Sequence, residues 1–411
     1  MMRYAPSTVQ ADAAQAAGIQ LITTDPTDAQ INSLKSHPAT LAWRLYNEPT
    51  GVFWGGDMQG IYDTFTYRKG QIKALDAVHP IYTMDCSLIT EPHRPWWITW
   101  NTAGDVSSHN NYCISTDTTS ISGPQGIPET VSLAATVNSQ SKPMWFCAQT
   151  FWSAGFEMPT PAQERCMVYT SIIHGATGIV YCLFDTFMAR QAGRVGIAPN
   201  PLADYGYGII ATEDQLQKSS QLWNAVEAIN AELAELRPAI LSPTSTAQYE
   251  VYLSNSLPRV TKNPIRTLLK NDPAGGLTLL LANVDSLEQK VKIRFPNRNF
   301  AIQELHGSFG FVRTEDYVTL DAPGWDARVF RILDIQSISD AKSQSTGTVA
   351  CSGVVSAVFA DCFYVESPDR SSGIRISSSE SGVAVGRTVS VIGTIQTLAS
   401  GERCIIADSV R

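Results

Sequence analysis

The sequence predicts an α/β chain: a (β/α)8 barrel of the TIM type that lacks its first strand, then an antiparallel β-sandwich and a small OB-like β-barrel. Three observations predict it. Up to about residue 236, short apolar, β-rich runs alternate with helical stretches, the pattern of a parallel sheet wrapped in helices. After Pro238 the texture changes to short alternating runs broken by Gly, Pro and Asn, the pattern of an antiparallel sandwich. From Val349 onward, five short strands with glycine bends fit a small barrel. The expected domains are residues 1–236, 237–335 and 347–411, with 336–346, rich in Ser and Gln, as a linker.

Taken in order, the barrel strands are expected at Gln20–Ile22, Trp43–Tyr46, Ile81–Met84, Asn111–Ile114, Met144–Cys147 and Ile179–Leu183. With Arg3-Tyr4 as the tail of another, this makes seven strands, one short of the eight that close such a barrel. The missing strand would precede residue 1, or an irregular segment would fill its place. Val9–Ala17 and Ala162–His174 have helical patterns closed by Gly18 and Gly175, where glycine supplies a left-handed cap. Thr160 is the expected N-cap of the second, with Pro161 in its first turn. A long helix from Glu213 to Leu236, followed by Pro238, ends the unit. Sandwich strands are expected at Tyr249–Leu253, Leu277–Asn283, Val291–Phe295 and Val329–Leu333. Those of the last barrel are expected around Val354, Phe363–Val365, Gly373–Ile376, Val389–Gly393 and Cys404–Ile406.

Composition narrows the function. A chain of 411 residues, 44% hydrophobic and 17% charged, buries a large core. Its net charge of −8 argues against nucleic-acid or anionic-membrane partners, which want a basic face. No apolar run approaches the ~20 residues that cross a bilayer, and Met1-Met2-Arg3-Tyr4 lacks the apolar core of a leader. Secretion is expected only if an upstream leader and first strand have been removed, and the oligomeric state stays open. The eight cysteines show no CxxC and no zinc-like spacing. Cys86, Cys113, Cys147, Cys166 and Cys182 are expected as buried free thiols, while Cys351, Cys362 and Cys404 leave room for one disulfide. The six histidines form no HxH or HxxxH pair, so no metal and no other cofactor is implied.

The most informative segment is Leu45-Tyr46-Asn47-Glu48-Pro49-Thr50-Gly51. The run Leu41-Ala42-Trp43 leads into it, and Pro49 ends the strand because it has no N–H to give the ladder. Glu48 therefore belongs at the mouth of a parallel barrel strand, where such folds do chemistry. The stretch His37–Pro49 resembles the fourth-strand segment of clan A glycoside hydrolases, in which an Asn-Glu or Asp-Glu pair before Pro carries the general acid/base. Lys142–Gln149 resembles their seventh strand and Gly175–Tyr181 the lead into an eighth, so the resemblance spans most of residues 1–236. It implies a (β/α)8 hydrolase acting on a poly- or oligosaccharide, with Glu48 as general acid/base and Asn47 holding the sugar's 2-hydroxyl.

Glycoside hydrolysis needs a second carboxylate across the scissile bond. At the end of the seventh strand, where the resemblance places a nucleophilic Glu, this chain has Gln149, and an amide cannot attack an anomeric carbon. Asp105 and Asp185 are the leading substitutes, with Glu157 and Asp85 behind them. A wide carboxylate separation would admit a water and give inversion. Trp54, Trp96, Trp97, Trp100, Tyr112 and Trp152 crowd the same rim, and flat rings suit the C–H faces of sugars. Trp97, Trp100 and Trp152 are the leading subsite candidates. His109 is expected to hold a sugar hydroxyl or orient a carboxylate, and His174 to be structural.

Two readings follow. The first is a glycoside hydrolase with Glu48 as acid. The second, invited by Gln149, is an inactive barrel that binds carbohydrate or serves a structural role. A lyase or aldolase would want a Schiff-base lysine or a metal cluster, and neither is suggested.

Overall fold

The computed structural model describes residues 6–139, 141–183, 194–196, 213–253, 263–296, 298–306, 310–314, 316–378 and 382–411. They fall into two compact units, Met1–Asn230 and Ala231–Arg411.

The first unit is built on a six-stranded parallel sheet, β1 (Leu21–Thr24), β2 (Thr40–Asn47), β3 (Ile81–Asp85), β4 (Val106–Asn110), β5 (Met144–Gln149) and β7 (Gly178–Cys182), in the order β1-β2-β3-β4-β5-β7. A short antiparallel pair, β6 (Trp152–Ser153) and β8 (Arg194–Val195), stands apart from it. The helices are α1 (Thr8–Ala16), α2 (Asp28–Leu34), α3 (Pro49–Val52), α4 (Met58–Leu75), α5 (Arg94–Ala103), α6 (Ile127–Val137), α7 (Pro161–Ile173) and α8 (Glu213–Ile240), the last of which runs on past Asn230 into the second unit. This is the strand-and-helix alternation of a (β/α) barrel, with β1 and β7 the sheet's edges among the described residues. The expected strand tail at Arg3-Tyr4 lies outside them.

The local chemistry explains the element boundaries. Ser7, Thr27 and Thr160 each cap a helix through a reciprocal box with the Gln three residues on. Gly18 and Gly175 follow α1 and α7 with φ of 69° and 117°. The two faces of the sheet differ. Trp43, Leu45 and Ile81 pack outward on Ile31, Leu34, Phe65, Ile72 and Trp100 of the helices. Ala42, Tyr82, Met84, Val106 and Cys147, with Val180 and Cys182, meet one another on the opposite, inner face.

One strand differs from expectation. The fourth runs over Val106–Asn110, not Asn111–Ile114, and pairs Met84 with Ser108 and His109 with Phe146. Its residues Ser107, Ser108, His109 and Asn110 are buried although polar; from the helix side Asn138 donates to Ser107 and Trp97 lies against His109. Beyond it the chain turns, with Ile114 bridged to Thr119. The helix α8 also continues through Pro238 to Ile240. A proline in the last turn removes one hydrogen bond without ending the helix at once.

The second unit holds the expected sandwich and barrel. One sheet has β10 (Ile265–Asn271), β11 (Leu277–Asn283), β16 (Ala327–Asp334) and β13 (Phe300–His306), in that order. The other has β14 (Val312–Thr314), β15 (Tyr317–Ala322), β12 (Gln289–Arg294) and β9 (Glu250–Leu253). Leu279, Leu281, Ile293, Phe295, Phe300 and Phe330 fill the space between them. The closed barrel β17 (Thr348–Val358), β18 (Cys362–Glu366), β19 (Gly373–Ser377), β21 (Arg403–Val410) and β20 (Thr388–Thr397) follows, in that order, with β19 and β21 parallel. Within the residues expected as a linker lies α9 (Ile338–Ser343), capped by Ser337. Its Ile338 and Ala341 belong to the barrel core with Val349, Phe363 and Ile405, so apolar spacing outweighs the polar composition of the segment. All eight cysteines are free thiols, including Cys351, Cys362 and Cys404.

Candidate active site

The C-terminal ends of the parallel strands, Asn47, Asp85, Asn110, Gln149 and Cys182, mark one rim of the first unit. In parallel α/β folds this is the end that carries chemistry. Glu48 stands there. The pairing of β2 with β3 shifts between Arg44 and Asn47, and Tyr46 and Glu48 both take left-handed backbone, at φ 58° and 52°. Such conformations cost about 1–3 kcal/mol each and persist where surroundings over-determine them. Here the Glu48 N–H donates to the Met84 carbonyl at 2.8 Å, and the Glu48 carbonyl accepts from the Val52 N–H at 2.8 Å. Pro49 occupies the first turn of α3.

The Glu48 carboxylate accepts a hydrogen bond at Oε1 from the side-chain amide of Asn110. The two residues belong to the ends of β2 and β4, with β3 between them. Strands lie about 4.8 Å apart, so side chains two strands apart meet only by leaning over the same face. Val106 of β4 belongs to the inner face, and residues 108 and 110 share it by alternation. Glu48 is thus carried over the concave side of the rim.

Asp85, the next rim residue, plays a supporting part. It is 2% exposed and accepts from the Thr50 N–H at 3.1 Å, the Thr50 hydroxyl and the Cys86 N–H at 2.9 Å. Burial raises its pKa to about 6 against the pull of these donors. The carboxyl is committed to the first turn of α3, directly after Glu48. Gly51 allows that turn its close approach: a Cβ there would meet the Cys86 sulfur at 3.2 Å.

Tyr112 and two thiols complete the neighbourhood. The Tyr112 phenol is raised well above its ordinary pKa first by burial, and also by its hydrogen bond to Cys182 and by the Glu48 charge. Its ring is fixed edge-on to Phe151 at 4.9 Å. Cys147 is raised in turn by its hydrogen bond to Cys182 and by burial, with Arg44 and Glu48 acting in opposite directions. The Arg44 guanidinium, 6% exposed, donates to Asn47 Oδ1. Glu48, Asn47, Asn110, Tyr112 and Arg44 therefore share a site of carboxylate, amide, phenol and guanidinium, the donor and acceptor set that suits a polyhydroxylated ligand.

Other candidates are not brought to Glu48. Asp105 precedes β4, about 16 Å of strand from Asn110, at the opposite end of the sheet. There it accepts from the Ile81 N–H at 2.9 Å and pairs with Lys73 at 2.8 Å. Burial works to raise its pKa, yet these partners hold it below the ordinary carboxylate range. His109 alternates outward, against Trp97 at 5.5 Å and Phe146 at 5.9 Å. It is wholly buried, neither ring nitrogen has a hydrogen-bond partner among the described residues, and burial lowers its pKa to about 3.

Trp97 and Trp100 are core residues, 0% and 1% exposed, the first donating its indole N–H to the Cys86 carbonyl at 2.5 Å. Trp100 packs on Tyr46, Tyr62 and Phe65. Trp152 joins a cluster with Met158, Leu222 and Val226. Trp96 sits at the edge of the helix-layer core, while Trp54 is exposed and lies over His93 at 4.1 Å. His174 meets the Ser132 hydroxyl at 2.8 Å.

Gln149 stands on the rim but is fully buried and saturated. Its Nε2 donates to the Ile114 carbonyl at 2.9 Å and the Glu157 carbonyl at 2.8 Å, and its Oε1 accepts from the Ile114 N–H at 3.1 Å. An amide is the one side-chain end group that both donates and accepts in this way. Glu157 is half-buried in that same loop. Asp185 lies outside the described residues.

Sequence reasoning missed Asn110, Arg44 and the Cys147–Cys182 pair. Asn110 was within reach: the last residue of a strand read as 106–110 falls on the rim. Among the described residues no three His, Cys, Asp or Glu side chains are grouped as metal ligands, and no helix is long and apolar enough to cross a membrane.

No protein family and no curated protein matches the chain in sequence. The solved structures it is similar to include the GH51 arabinofuranosidase of Xanthomonas axonopodis pv. citri, at TM-score 0.42 and 10% identity over 79% of this chain and 78% of that one. A glucosidase of Croceicoccus marinus gives 0.40 and 10% over 94% and 78%. A GH30 endoxylanase of Clostridium papyrosolvens C71 gives 0.39 and 12% over 80% and 72%. The fold assignment rests on the strand pairing itself and not on these likenesses.

Proposed function

We propose that the first unit is a glycoside hydrolase that cleaves an O-glycosidic bond of a poly- or oligosaccharide, with Glu48 as general acid/base. The observation that carries this reading is Glu48 itself, a left-handed residue at the strand end of a parallel α/β sheet, its carboxylate turned over the inner face and held at one oxygen by Asn110. With Oε1 occupied, Oε2 is the oxygen that exchanges a proton with the glycosidic oxygen. Asn47, steadied by Arg44, and Tyr112 supply hydrogen bonds to sugar hydroxyls beside it.

The second carboxylate is proposed as Asp185, which follows β7 by three residues in sequence, with Glu157 as the one to test beside it. Asp105 is set aside because it sits at the far end of β4. A second reading, a barrel that binds saccharide without cleaving it, draws on Gln149: the residue at the nucleophile's expected position is committed to two loop carbonyls. Reducing-sugar release from polysaccharides and aryl glycosides by the wild-type chain, Glu48→Gln, Asp185→Asn and Glu157→Gln separates the two. Turnover lost in Glu48→Gln supports the hydrolase. Sugar affinity without turnover supports the binding barrel.

A further inference from the structure

The second unit contains a cavity of about 180 Å³ where the sandwich meets the small barrel. It is lined by Phe311 and Arg313 on the sandwich side and by Ser390, Ile392, Ser409 and Arg411 on the barrel side. The guanidinium of Arg313 lies over the Phe300 ring at 4.9 Å, and that of Arg411 over the Phe311 ring at 4.5 Å. A guanidinium seated on an aromatic face keeps its in-plane N–H groups free and is held in one orientation.

These two arginines differ from five others of the unit. Arg294, Arg298, Arg328, Arg331 and Arg375 of the same unit each face a carboxylate. Among the described residues no side-chain carboxylate lies within ion-pair distance of Arg313 or Arg411. The Nε of Arg313 is buried and has no hydrogen-bond partner among the described residues, and burial lowers the pKa of that side chain. Two guanidiniums without a side-chain carboxylate partner among the described residues thus converge on one cavity. The backbone of Arg411 is pinned by two hydrogen bonds with Ser390, and its guanidinium is seated on the Phe311 ring.

We propose that this cavity is an oxyanion-binding site, with Arg313 and Arg411 donating in-plane hydrogen bonds to two oxygens of one anion and the hydroxyls of Ser390 and Ser409 adding to them. The ligand is a small anionic group with at least two oxygens: a free or sugar-linked phosphate or sulfate, or the carboxylate of an acidic sugar. Guanidinium pairs match both shapes. The cavity belongs to the second unit, and the proposal holds whether or not the first unit hydrolyses sugars.

The test is calorimetric titration of the full chain with inorganic phosphate, sulfate, glucuronate and, as neutral control, glucose. Saturable binding of at least one anion, none of glucose, and a loss of about tenfold or more in both Arg313→Gln and Arg411→Gln is expected. Arg370→Gln, a change on an exposed loop away from the cavity, should leave affinity intact. Binding of phosphate or sulfate alone identifies a tetrahedral ligand, and binding of glucuronate alone identifies an acidic sugar. Should Arg313→Gln not fold, Arg411→Gln decides by itself. Failure of all three anions to bind, or equal affinity in Arg411→Gln, overturns the proposal.

Discussion

Asn110, the last residue of β4, donates its side-chain amide to Oε1 of Glu48, the residue after β2, across the strand that separates them. The contact fixes which carboxylate oxygen faces outward and ties an otherwise strained turn to the sheet. Asn110→Ala is expected to lower kcat by about 100-fold with KM little changed, since misplacing a reacting group by about 1 Å costs that much. The fold should lose only about 1 kcal/mol, the worth of one hydrogen bond. Steady-state kinetics beside a urea melt check both halves, and an unchanged kcat would remove Asn110 from the site.

Asp85 makes stability depend on pH in a direction opposite to most carboxylates. Its folded pKa, about 6, lies above the ordinary value of 3.8, so the folded chain holds the proton more tightly than the unfolded one. Its contribution is full below about pH 4 and is lost as pH rises through about 6, by about 3 kcal/mol. Asp85→Asn keeps the acceptor for the Thr50 and Cys86 N–H groups and removes the titration. The difference in unfolding free energy between Asp85→Asn and wild type should therefore grow from pH 4 to pH 7 in favour of the variant. A constant difference contradicts the assignment.

His109 acts on the acid side. Burial depresses its pKa to about 3, so the unfolded chain takes up a proton that the folded chain refuses. That stability is present above the unfolded value of about 6.5 and is lost as pH falls towards 3. His109→Phe, placed among Trp97 and Phe146, should be at least as stable as wild type at pH 7 and less sensitive to acid. If His109 instead contacted substrate, the same variant would raise KM while leaving the acid limb unchanged.

Gln149→Glu discriminates a lost nucleophile from a structural amide. In the present geometry a carboxylate would face the Ile114 and Glu157 carbonyls with no proton to give them. A destabilisation of about 1–3 kcal/mol, the cost of leaving buried polar groups unpaired, and no gain in sugar release are expected. A Glu variant that is more active than wild type would restore the nucleophile reading.

The parts that were legible in the sequence are those where local chemistry and tertiary packing agree. Thr160 with Pro161 announces a helix, and the apolar run before Pro49 announces a strand end, because caps and proline act within a few residues. The strand at Ser107-Ser108-His109-Asn110 was hidden because its polar side chains carry no strand signal and are buried only by neighbours far away in sequence. Moving that strand back by a few residues turns His109 outward, brings Asn110 to the rim and leaves Asp105 at the opposite end. The helix at Ile338 was hidden for a related reason: two apolar residues three apart in a polar segment become informative only once the barrel they enter exists.

Glu48→Gln keeps the side chain's shape and its hydrogen bond at one oxygen but removes the proton. Sugar release is measured from a panel of polysaccharides and aryl glycosides for wild type and variant, with folding checked by circular dichroism. Clear wild-type turnover is expected, falling by about 100-fold to 10,000-fold in the variant, the range of a general acid/base. Wild-type turnover that survives intact in a folded Glu48→Gln protein would contradict that role for Glu48.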